Sequence, residues 1–481
     1  MDDRSRVRIV ALVVAGTAFM AQLDAAVLAT ALPRMAVAFH VPTVRLSLAI
    51  TTYMFAFVAL LPASSWVADR FGTRTVFLVA ISVFAIGSLL CSLSTSYLPF
   101  IGARIFQGVG AALMTPVGRL VVIRSAPKRD LVSVLTFIST PMLFALTFGP
   151  AIGGFFVTYF TWPWIFLLNL PIAAFAIAAT LRFVPNVRDE TTPPLDIKGL
   201  LLVSGAILAL LGGIDQLGLG KWRIAGALLA GGTAISALTL HHLKHYPRAI
   251  ISLTPLAKPT FTIPSLTGGA LARLPMRAVT FLLPLLFQLV LGMNALAAGS
   301  LVLALSAGDL VLKPLARQCF ERFGYRTTLC STAFVGVATA LGCAAFYPGV
   351  WIPLIVAVLV ISGMARSLLF TGLTSLAFLD LHDSEIGAGN VIVSLMQQTT
   401  SALGVSISAL ALHTSMSLRG HTTPGMFDFQ MAFVVIAVLG LWGAILLLRL
   451  NPEAGAHASE GAHSSKVVAT SEKQPLPSTT A

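Results

Sequence analysis

Stretches of apolar sequence long enough to cross a lipid bilayer recur along almost the whole chain. The hydrocarbon core of a bilayer is about 30 Å thick, and a helix needs about 20 apolar residues to span it. Because lipid offers no hydrogen-bond partners, each separate stretch must pair its own backbone groups, as an α-helix does. The sequence therefore predicts an all-α integral membrane protein with fourteen transmembrane helices. The predicted spans are 9–31, 44–66, 75–96, 98–123, 131–157, 162–181, 197–217, 222–243, 261–290, 297–317, 327–346, 350–372, 387–412 and 428–449.

Composition and the placement of charge exclude the soluble classes of protein. Hydrophobic residues make up 57% of the chain and charged residues only 10%, whereas a water-soluble surface needs roughly a quarter charged residues. The net charge of +13 is high enough for nucleic-acid binding, so the position of the basic residues decides. With a cytoplasmic N-terminus, eighteen of the 31 lysines and arginines lie in or beside inner loops and five in outer loops. This asymmetry predicts a multi-pass protein of the plasma (inner) membrane with both termini cytoplasmic, embedded in the lipid bilayer and without a nucleic-acid partner.

Neither a metal site nor enzymatic chemistry is indicated. The four cysteines have no metal-ligand spacing and none falls in a predicted outer loop, so we expect free thiols. His241, His242 and His245 are spaced almost as metal ligands are, but they follow the eighth span in a basic stretch, which favours a solvated loop. No nucleotide-binding or nucleophile motif lies in a suitable context. We therefore expect no enzyme, no ATP-driven pump and no cofactor.

One internal repeat divides the chain into units. The pattern acid-Arg-Phe-Gly-x-Arg occurs as Asp69–Arg74 after the second span and as Glu321–Arg326 after the tenth. If the tenth span is the second helix of a second half, spans 1–6 correspond to spans 9–14 about an axis along the membrane normal. The predicted units are an N-terminal six-helix half (1–190), an inserted pair of helices 7 and 8 (191–258), a C-terminal six-helix half (259–450) and a disordered cytoplasmic tail (451–481).

Five motifs, in chain order, resemble those of one transporter family. They are Leu23–Pro33 (LDAAVLATALP), Ser65–Arg74 (SWVADRFGTR), Arg104–Gly108 (RIFQG), Ala145–Gly154 (ALTFGPAIGG) and Trp162–Pro171 (WPWIFLLNLP). Together they are similar to the fourteen-helix drug:proton antiporter branch of the major facilitator superfamily, with Ser65 and Ala145 in place of the first glycine of their motifs. The resemblance implies a secondary transporter that exports amphipathic or drug-like small molecules by alternating access, with the proton gradient as its energy source.

Asp24 is the most informative candidate residue. A carboxylate inside a span is costly unless it is paired, protonated or in contact with water. At ~1.5 Å per residue, Asp24 in the first span and Arg104 in the fourth lie at nearly the same depth of the bilayer. Asp24 and Arg104 can form a pair when the acid is ionised, and this pair can break when the acid is protonated. Such a pair is the switch that an antiporter needs. The alternative is a static salt bridge. Asp309 is a second proton-site candidate, pairing either with Lys313 on the same helix face or with Arg366.

Two further sets of residues are candidates for the conformational change. We interpret the repeated motif as a latch at the cytoplasmic ends of the helices, although its arginines would also enforce topology alone. The small residues of the fifth span allow close helix packing and its proline allows bending, so this segment is either a rocking element or a purely structural contact. The latch residues are Asp69, Arg70, Gly72, Arg74, Glu321, Arg322 and Arg326, and the antiporter-motif residues are Gly149, Pro150, Gly153 and Gly154.

The substrate path is predicted to run between the two halves. The spans contain six basic residues and three acids. With this balance of charge, neutral or anionic lipophiles are at least as plausible as substrates as multiply charged cations are. Asp215, near the end of the seventh span, is interpreted as interfacial. A proton-coupled uptake permease and a non-transporting receptor or scaffold remain alternatives, and the chain is expected to act as a monomer. The predicted path residues are Gln107, Arg273, Arg277, Lys313 and Arg366.

Overall fold

The fold was taken from a computed structural model, which describes residues 3–125, 131–188, 194–218, 220–246, 249–421 and 423–451. These residues form eighteen helices and four short 3-10 turns, with no β-strand among them. The predicted tail, 451–481, lies outside the described residues apart from Asn451. The helices are α1 (Asp3–Phe39), α2 (Ser47–Leu60), α3 (Ser64–Phe71), α4 (Thr73–Leu93), α5 (Tyr97–Ser125), α6 (Leu131–Tyr159), α7 (Trp164–Leu167), α8 (Asn169–Phe183), α9 (Ile197–Gly218), α10 (Trp222–His245), α11 (Pro259–Ser265), α12 (Gly268–Leu289), α13 (Ala295–Leu312), α14 (Ala316–Phe323), α15 (Tyr325–Ala344), α16 (Ile352–Leu379), α17 (Asp383–Arg419) and α18 (Met426–Leu447).

The predicted all-α membrane architecture is confirmed. In the described part of the chain, thirteen helical segments are long and apolar enough to cross a membrane. The fifth predicted span, 131–157, coincides with α6, whose first turns carry side chains outside the described set. A surface of large apolar side chains surrounds the bundle, as expected for a protein solvated by lipid.

The ninth predicted span, 261–290, is in fact two helices. Helix α11 ends at Ser265, and α12 begins at Gly268 after a break at Leu266 and Thr267. Pro264 precedes the break, and its carbonyl group lies so close to Gly269 that a β-carbon there would collide with it. The break therefore depends on a glycine that lets two backbone segments approach closely.

Helices α1 to α8 pack on one another around α1, which contacts α5, α6 and α8. Helices α11 to α18 form a second group, in which α12 contacts α13, α15, α16, α17 and α18. Helix α9 packs on α10 and also on α2 and α17, and therefore touches both groups. Helix α10 presents most of its surface outward, because only 17% of its span is buried.

The internal repeat extends beyond the six residues that revealed it. Each copy begins with a 3-10 turn carrying a proline at its second position, Leu61–Ala63 or Lys313–Leu315, followed by an eight-residue helix, α3 or α14. Each helix ends at a glycine with positive φ, +90° at Gly72 and +75° at Gly324, and a new helix starts at the next residue. Only glycine adopts this conformation without strain, which explains why both motifs contain it. We call the end of the bundle where these glycines lie the motif end, and the opposite end the far end.

Candidate functional site

A buried polar network surrounds Asp24 in the first group of helices. Arg104 Nη1 on α5 donates to Asp24 Oδ2 on α1 at 2.6 Å, and Arg104 Nε donates to the Ala49 carbonyl on α2 at 3.1 Å. Asp24 and Arg104 are each 1% exposed. The two residues placed at equal depth by the sequence are therefore in direct contact.

Three amide and hydroxyl side chains complete what we call the Asp24 network. Gln107 Nε2 and Asn169 Nδ2 both donate to Asp24 Oδ1, at 2.9 and 3.1 Å. Both also donate to Ser88 Oγ on α4, at 2.7 and 2.9 Å, and Gln107 Oε1 accepts from Arg104 Nη1 at 2.5 Å. The network thus joins five helices, α1, α2, α4, α5 and α8, at one carboxylate.

Two aromatic rings lie close to the Arg104 guanidinium of the network. The Arg104 guanidinium lies over the Tyr53 ring at 4.4 Å from its centroid and near the Phe166 ring at 5.8 Å. Ring faces stabilise a desolvated cation. Arg104 is therefore stabilised on one side by the carboxylate and on the other by aromatic rings.

Several members of this network have only a weak signal in the sequence. Gln107, which is predicted for the substrate path, lies fully buried beside Asp24. Asn169 belongs to the Trp162–Pro171 motif, so the sequence does carry a signal for it, whereas Ser88 is one of several hydroxyl residues of α4 and does not stand out. Tyr53 gives no sequence signal of its role, because an aromatic residue in a span is expected in any case.

The second group of helices holds a separate charged cluster, which we call the arginine cluster: Arg273, Arg277, Arg366, Asp309 and Phe370. Arg366 Nη2 on α16 donates to Asp309 Oδ2 on α13 at 3.1 Å. Arg277 and Arg273, one turn apart on α12, both place their guanidinium groups against the Phe370 ring, at 4.8 and 5.5 Å from its centroid. The structure thus pairs Asp309 with Arg366, the second of the two partners considered from sequence.

Lys313 lies apart from this cluster. It opens the 3-10 turn after α13 and its side chain is exposed. Its position at the end of the span agrees with a lysine that extends its amine towards water.

The two copies of the repeated motif make equivalent contacts. Arg74 Nη2 donates to the Leu181 carbonyl near the end of α8 at 2.5 Å, and Arg326 Nη2 donates to the Leu448 carbonyl just after α18 at 2.8 Å. Arg70, Glu321 and Arg322 are exposed, and Asp69 is half-buried.

The surroundings of the two motifs differ. In the first copy the segment after α8 lies over the motif: Asn186 accepts from the Arg74 N–H at 3.1 Å and Val187 accepts from the Thr73 N–H at 3.0 Å. A β-carbon at Gly72 would collide with the Asn186 side chain, whereas one at Gly324 would have nothing within 4 Å among the described residues. The first copy is covered and the second is open.

The small residues of α6 form two contact faces. A β-carbon at Gly149 would meet Ala26 of α1, and one at Gly153 would meet Thr30 and the Val27 backbone. The face that carries Pro150 and Gly154 instead contacts α13 of the other helix group. There the Pro150 carbonyl lies against Gly299 and Gly154 lies against the Ala295 carbonyl.

Two additional hydrogen bonds near the far end join the helix groups. The Leu296 N–H donates to Thr158 Oγ1 at 3.2 Å, and Gln288 Nε2 donates to the Thr30 carbonyl at 3.2 Å. The two groups therefore pack closely towards the far end.

Asp215, which the sequence analysis interprets as interfacial, is buried against neighbouring helices. Asp215 is 9% exposed and accepts a hydrogen bond from Thr51 Oγ1 of α2 at 3.0 Å. Ser406 of α17 lies close to the same carboxylate. Because α9 is wedged between α2 and α17, a side chain near its end faces protein.

The histidine stretch is part of a helix and not of a loop. His241, His242 and His245 form the last turns of α10, and His242 Nε2 lies 2.9 Å from Asp196 Oδ1. Among the described residues, no group of three or more histidine, cysteine, aspartate or glutamate side chains could hold a metal ion. All four cysteines are free.

Comparisons with known proteins identify the relatives of this chain. The family model described as Major Facilitator Superfamily matches residues 14–405 and 265–478. "Putative multidrug resistance protein MdtD" of Cronobacter sakazakii is 34% identical over 448 residues, 92% of this chain and 94% of that protein. A POT family transporter solved with 5-aminolevulinic acid superposes with a TM-score of 0.68 at 14% identity, over 93% of this chain and 96% of that one. The xylose transporter XylE from E. coli gives 0.60 at 15% identity, over 93% and 98%. The two solved structures establish a shared fold.

Proposed function

Because the chain belongs to the Major Facilitator Superfamily and is therefore a multi-pass secondary transporter and not an enzyme, we propose that it is a proton-coupled antiporter. It exports amphipathic or drug-like small molecules by alternating access, as the name of its relative suggests, and uses the proton gradient in place of a cofactor. The observation that carries this proposal is the Asp24 network, in which one carboxylate accepts hydrogen bonds from three side chains and the network as a whole links five helices.

Protonation of Asp24 would change what holds these helices together. The ionised carboxylate accepts from Arg104, Gln107 and Asn169, and charge-assisted bonds of this kind are stronger than neutral ones. A protonated carboxyl group loses its charge attraction to Arg104, whose other contacts are the Ala49 carbonyl, Gln107 Oε1 and the Tyr53 and Phe166 rings. Since Asp24 is sealed from water here, it exchanges its proton in another conformation, so protonation and conformation are linked.

We propose that α1–α8 and α11–α18 are the two moving halves and that α9 and α10 are the inserted pair. The equivalent contacts of Arg74 and Arg326 support this division, because each arginine bonds the end of the last helix of its own half. The contacts of Gly154 and Gly299 across the halves would then open and close access at the far end. The motif end, with its latch residues, faces the cytoplasm together with both termini, in the inner membrane, as the basic residues indicate.

A transport assay with a matched control tests this proposal. Purified protein in proteoliposomes with an acidic lumen should accumulate a transported compound, and Asp24→Asn, which mimics the protonated acid, should abolish accumulation driven by the proton gradient. Asp428→Asn is the control, because Asp428 is equally buried but caps α18 and bonds Ser415, outside the Asp24 network. The control should keep proton-driven transport. Gradient-driven accumulation by Asp24→Asn at the rate of the parent protein would refute the proposal.

A further inference from the structure

We propose that the arginine cluster is an anion-binding site, which takes the sulfonate or carboxylate of an amphipathic aromatic substrate. This inference rests on the proposed transport function and assigns the substrate class to it. The site consists of Arg273, Arg277, Arg366, Asp309 and Phe370, all within the second half.

The arginine cluster carries an excess of positive charge. Arg277 lies close enough to interact with the charges of Arg273, Arg366 and Asp309. Three guanidinium groups and one carboxylate give this part of the membrane interior a net charge of +2 among the described residues, whereas Asp24 and Arg104 in the first half balance each other. Unbalanced charge inside a membrane is expensive and is a mark of functional sites.

Two arginines of the cluster have hydrogen-bond donors that are not used among the described residues. Arg273 is 1% exposed and Arg366 is 8% exposed, yet the Nε group of each has no hydrogen-bond partner within the described structure. Arg273 has one long bond, from Nη1 to the Pro264 carbonyl at 3.4 Å. Buried donors without partners cost free energy, and a bound oxyanion would satisfy them.

The surroundings of the cluster combine an aromatic ring with partial exposure. The Phe370 ring has two guanidinium groups against it and is itself half-buried, as are Arg277 and Asp309. The site is therefore partly open, in contrast to the sealed Asp24 network. Planar guanidinium groups beside an aromatic ring suit a ligand with an oxyanion attached to a flat apolar body.

The arrangement also gives Asp309 a role that differs from proton transfer. A substrate oxyanion and the Asp309 carboxylate compete for Arg366, since both are acceptors for the same guanidinium. Asp309 is then the fixed counter-ion that occupies Arg366 between transport cycles. Removing its charge should strengthen anion binding, which is the opposite of the effect of removing an arginine.

A series of probes with one ring system and different charges tests this inference. Naphthalenesulfonate, naphthalenemethanol and trimethylnaphthylammonium are titrated against the full-length protein in nanodiscs of zwitterionic lipid, and binding is measured by calorimetry. The parent protein should bind the sulfonate at least about tenfold more tightly than the alcohol or the cation. Equal affinities, or a preference for the cation, would overturn the inference.

Variants separate the site from general effects of charge. Arg277→Gln should weaken sulfonate binding about tenfold and leave alcohol binding unchanged, Arg277→Lys should give an intermediate loss, and Asp309→Asn should tighten sulfonate binding. Arg419→Gln is the matched control, because Arg419 also lies over a phenylalanine ring, at 4.5 Å from Phe427, but is exposed at the far end. An unchanged affinity in Arg277→Gln or a weaker one in Asp309→Asn would contradict the inference.

Two additional measurements distinguish the possible failures. Nanodiscs with anionic phosphatidylglycerol should leave sulfonate binding unchanged; if the lipid abolishes binding, the cluster holds a lipid headgroup and the inference is wrong. Sulfonate binding without proton-driven transport would refute the proposed antiport and leave the anion site intact. Proton-driven transport of the cation without sulfonate binding would refute the anion site alone.

Discussion

At the scale of single residues, polarity inside a span was the informative signal. Asp24 and Arg104 were identified because an acid and a base at equal depth in apolar segments need each other, and they lie in contact at 2.6 Å. Asn169 and Ser88 could not be identified in this way, because small polar side chains are common in spans. Their partners depend on how each helix is rotated about its axis. The contacts of Asp215 could not be predicted for the same reason: hydropathy gives depth along a helix and not the side that it presents to its neighbours.

The Asp24–Arg104 pair makes a prediction about stability. Arg104→Gln leaves a buried carboxylate without its cation and should cost about 3–5 kcal/mol, seen as a clear loss of thermal stability in detergent. The double variant Asp24→Asn with Arg104→Gln removes both charges and should be more stable than Arg104→Gln alone. If the double variant is instead the less stable of the two, the pair does not act as a buried ion pair.

At the scale of helices, the sequence predicted the segments well and their interruptions poorly. Fourteen apolar stretches marked the spans, but the break between α11 and α12 depends on Gly269 passing close to the Pro264 carbonyl, a tertiary contact that hydropathy does not show. The hydropathy pattern likewise predicts continuous helix at the proline-containing 3-10 turns before α3 and α14.

Helix α9 packs on α2 through two side-chain hydrogen bonds. Thr51 donates to Asp215, and Ser204 Oγ donates to the Ala59 carbonyl at 2.5 Å.

The surroundings of Asp196 allow a prediction of how the stability of the inserted pair of helices, α9 and α10, depends on pH. Burial raises the pKa of this carboxyl group, but hydrogen bonds from the Gly199 N–H, from His242 and from the Ile250 N–H outweigh burial and lower it. These bonds therefore stabilise the fold above the ordinary aspartate pKa of about 3.9 and are lost as the pH falls through the lower folded value.

The comparison of Asp196→Asn with the parent protein tests this dependence. The variant should have a lower melting temperature at pH 6 to 7, and the difference should shrink as the pH falls below about 4. Asp380→Asn, at an exposed aspartate before α17, is the control and should melt like the parent. A difference that grows on acidification would show that the sign of the pKa shift is wrong.

At the scale of the whole molecule, the two groups of helices, α1–α8 and α11–α18, meet closely near the far end. The repeat of six residues predicts which helices correspond, because the position of a motif relative to the spans can reveal a duplication even where most of the sequence has diverged. Hydropathy does not predict how closely the two groups approach at the far end. That depends on the face of α6 that carries Pro150 and Gly154, which meets Ala295 and Gly299 of α13.

A larger side chain at Gly154 should prevent this closure. A β-carbon there would collide with the Ala295 carbonyl, so Gly154→Val should hold the far ends apart and slow transport at least about tenfold. Spin labels on cysteines at Phe160 and Met293, in a background without the four native cysteines, would report the separation. Gly226→Val is the control, because nothing described lies within 4 Å of a β-carbon at this position on α10. An unchanged distance distribution in Gly154→Val would contradict the closure.

The most direct measurement of the central claim is proton release by the purified protein on substrate binding. The compound that proteoliposomes transport best is added in weakly buffered detergent solution, and a pH-sensitive dye reports protons. If Asp24 carries the coupled proton, the parent protein and Asp428→Asn release protons at saturating substrate, and Asp24→Asn binds substrate without release. Release by Asp24→Asn equal to that of the parent, with loss of release in Asp309→Asn, would contradict the claim and assign the proton to the second half.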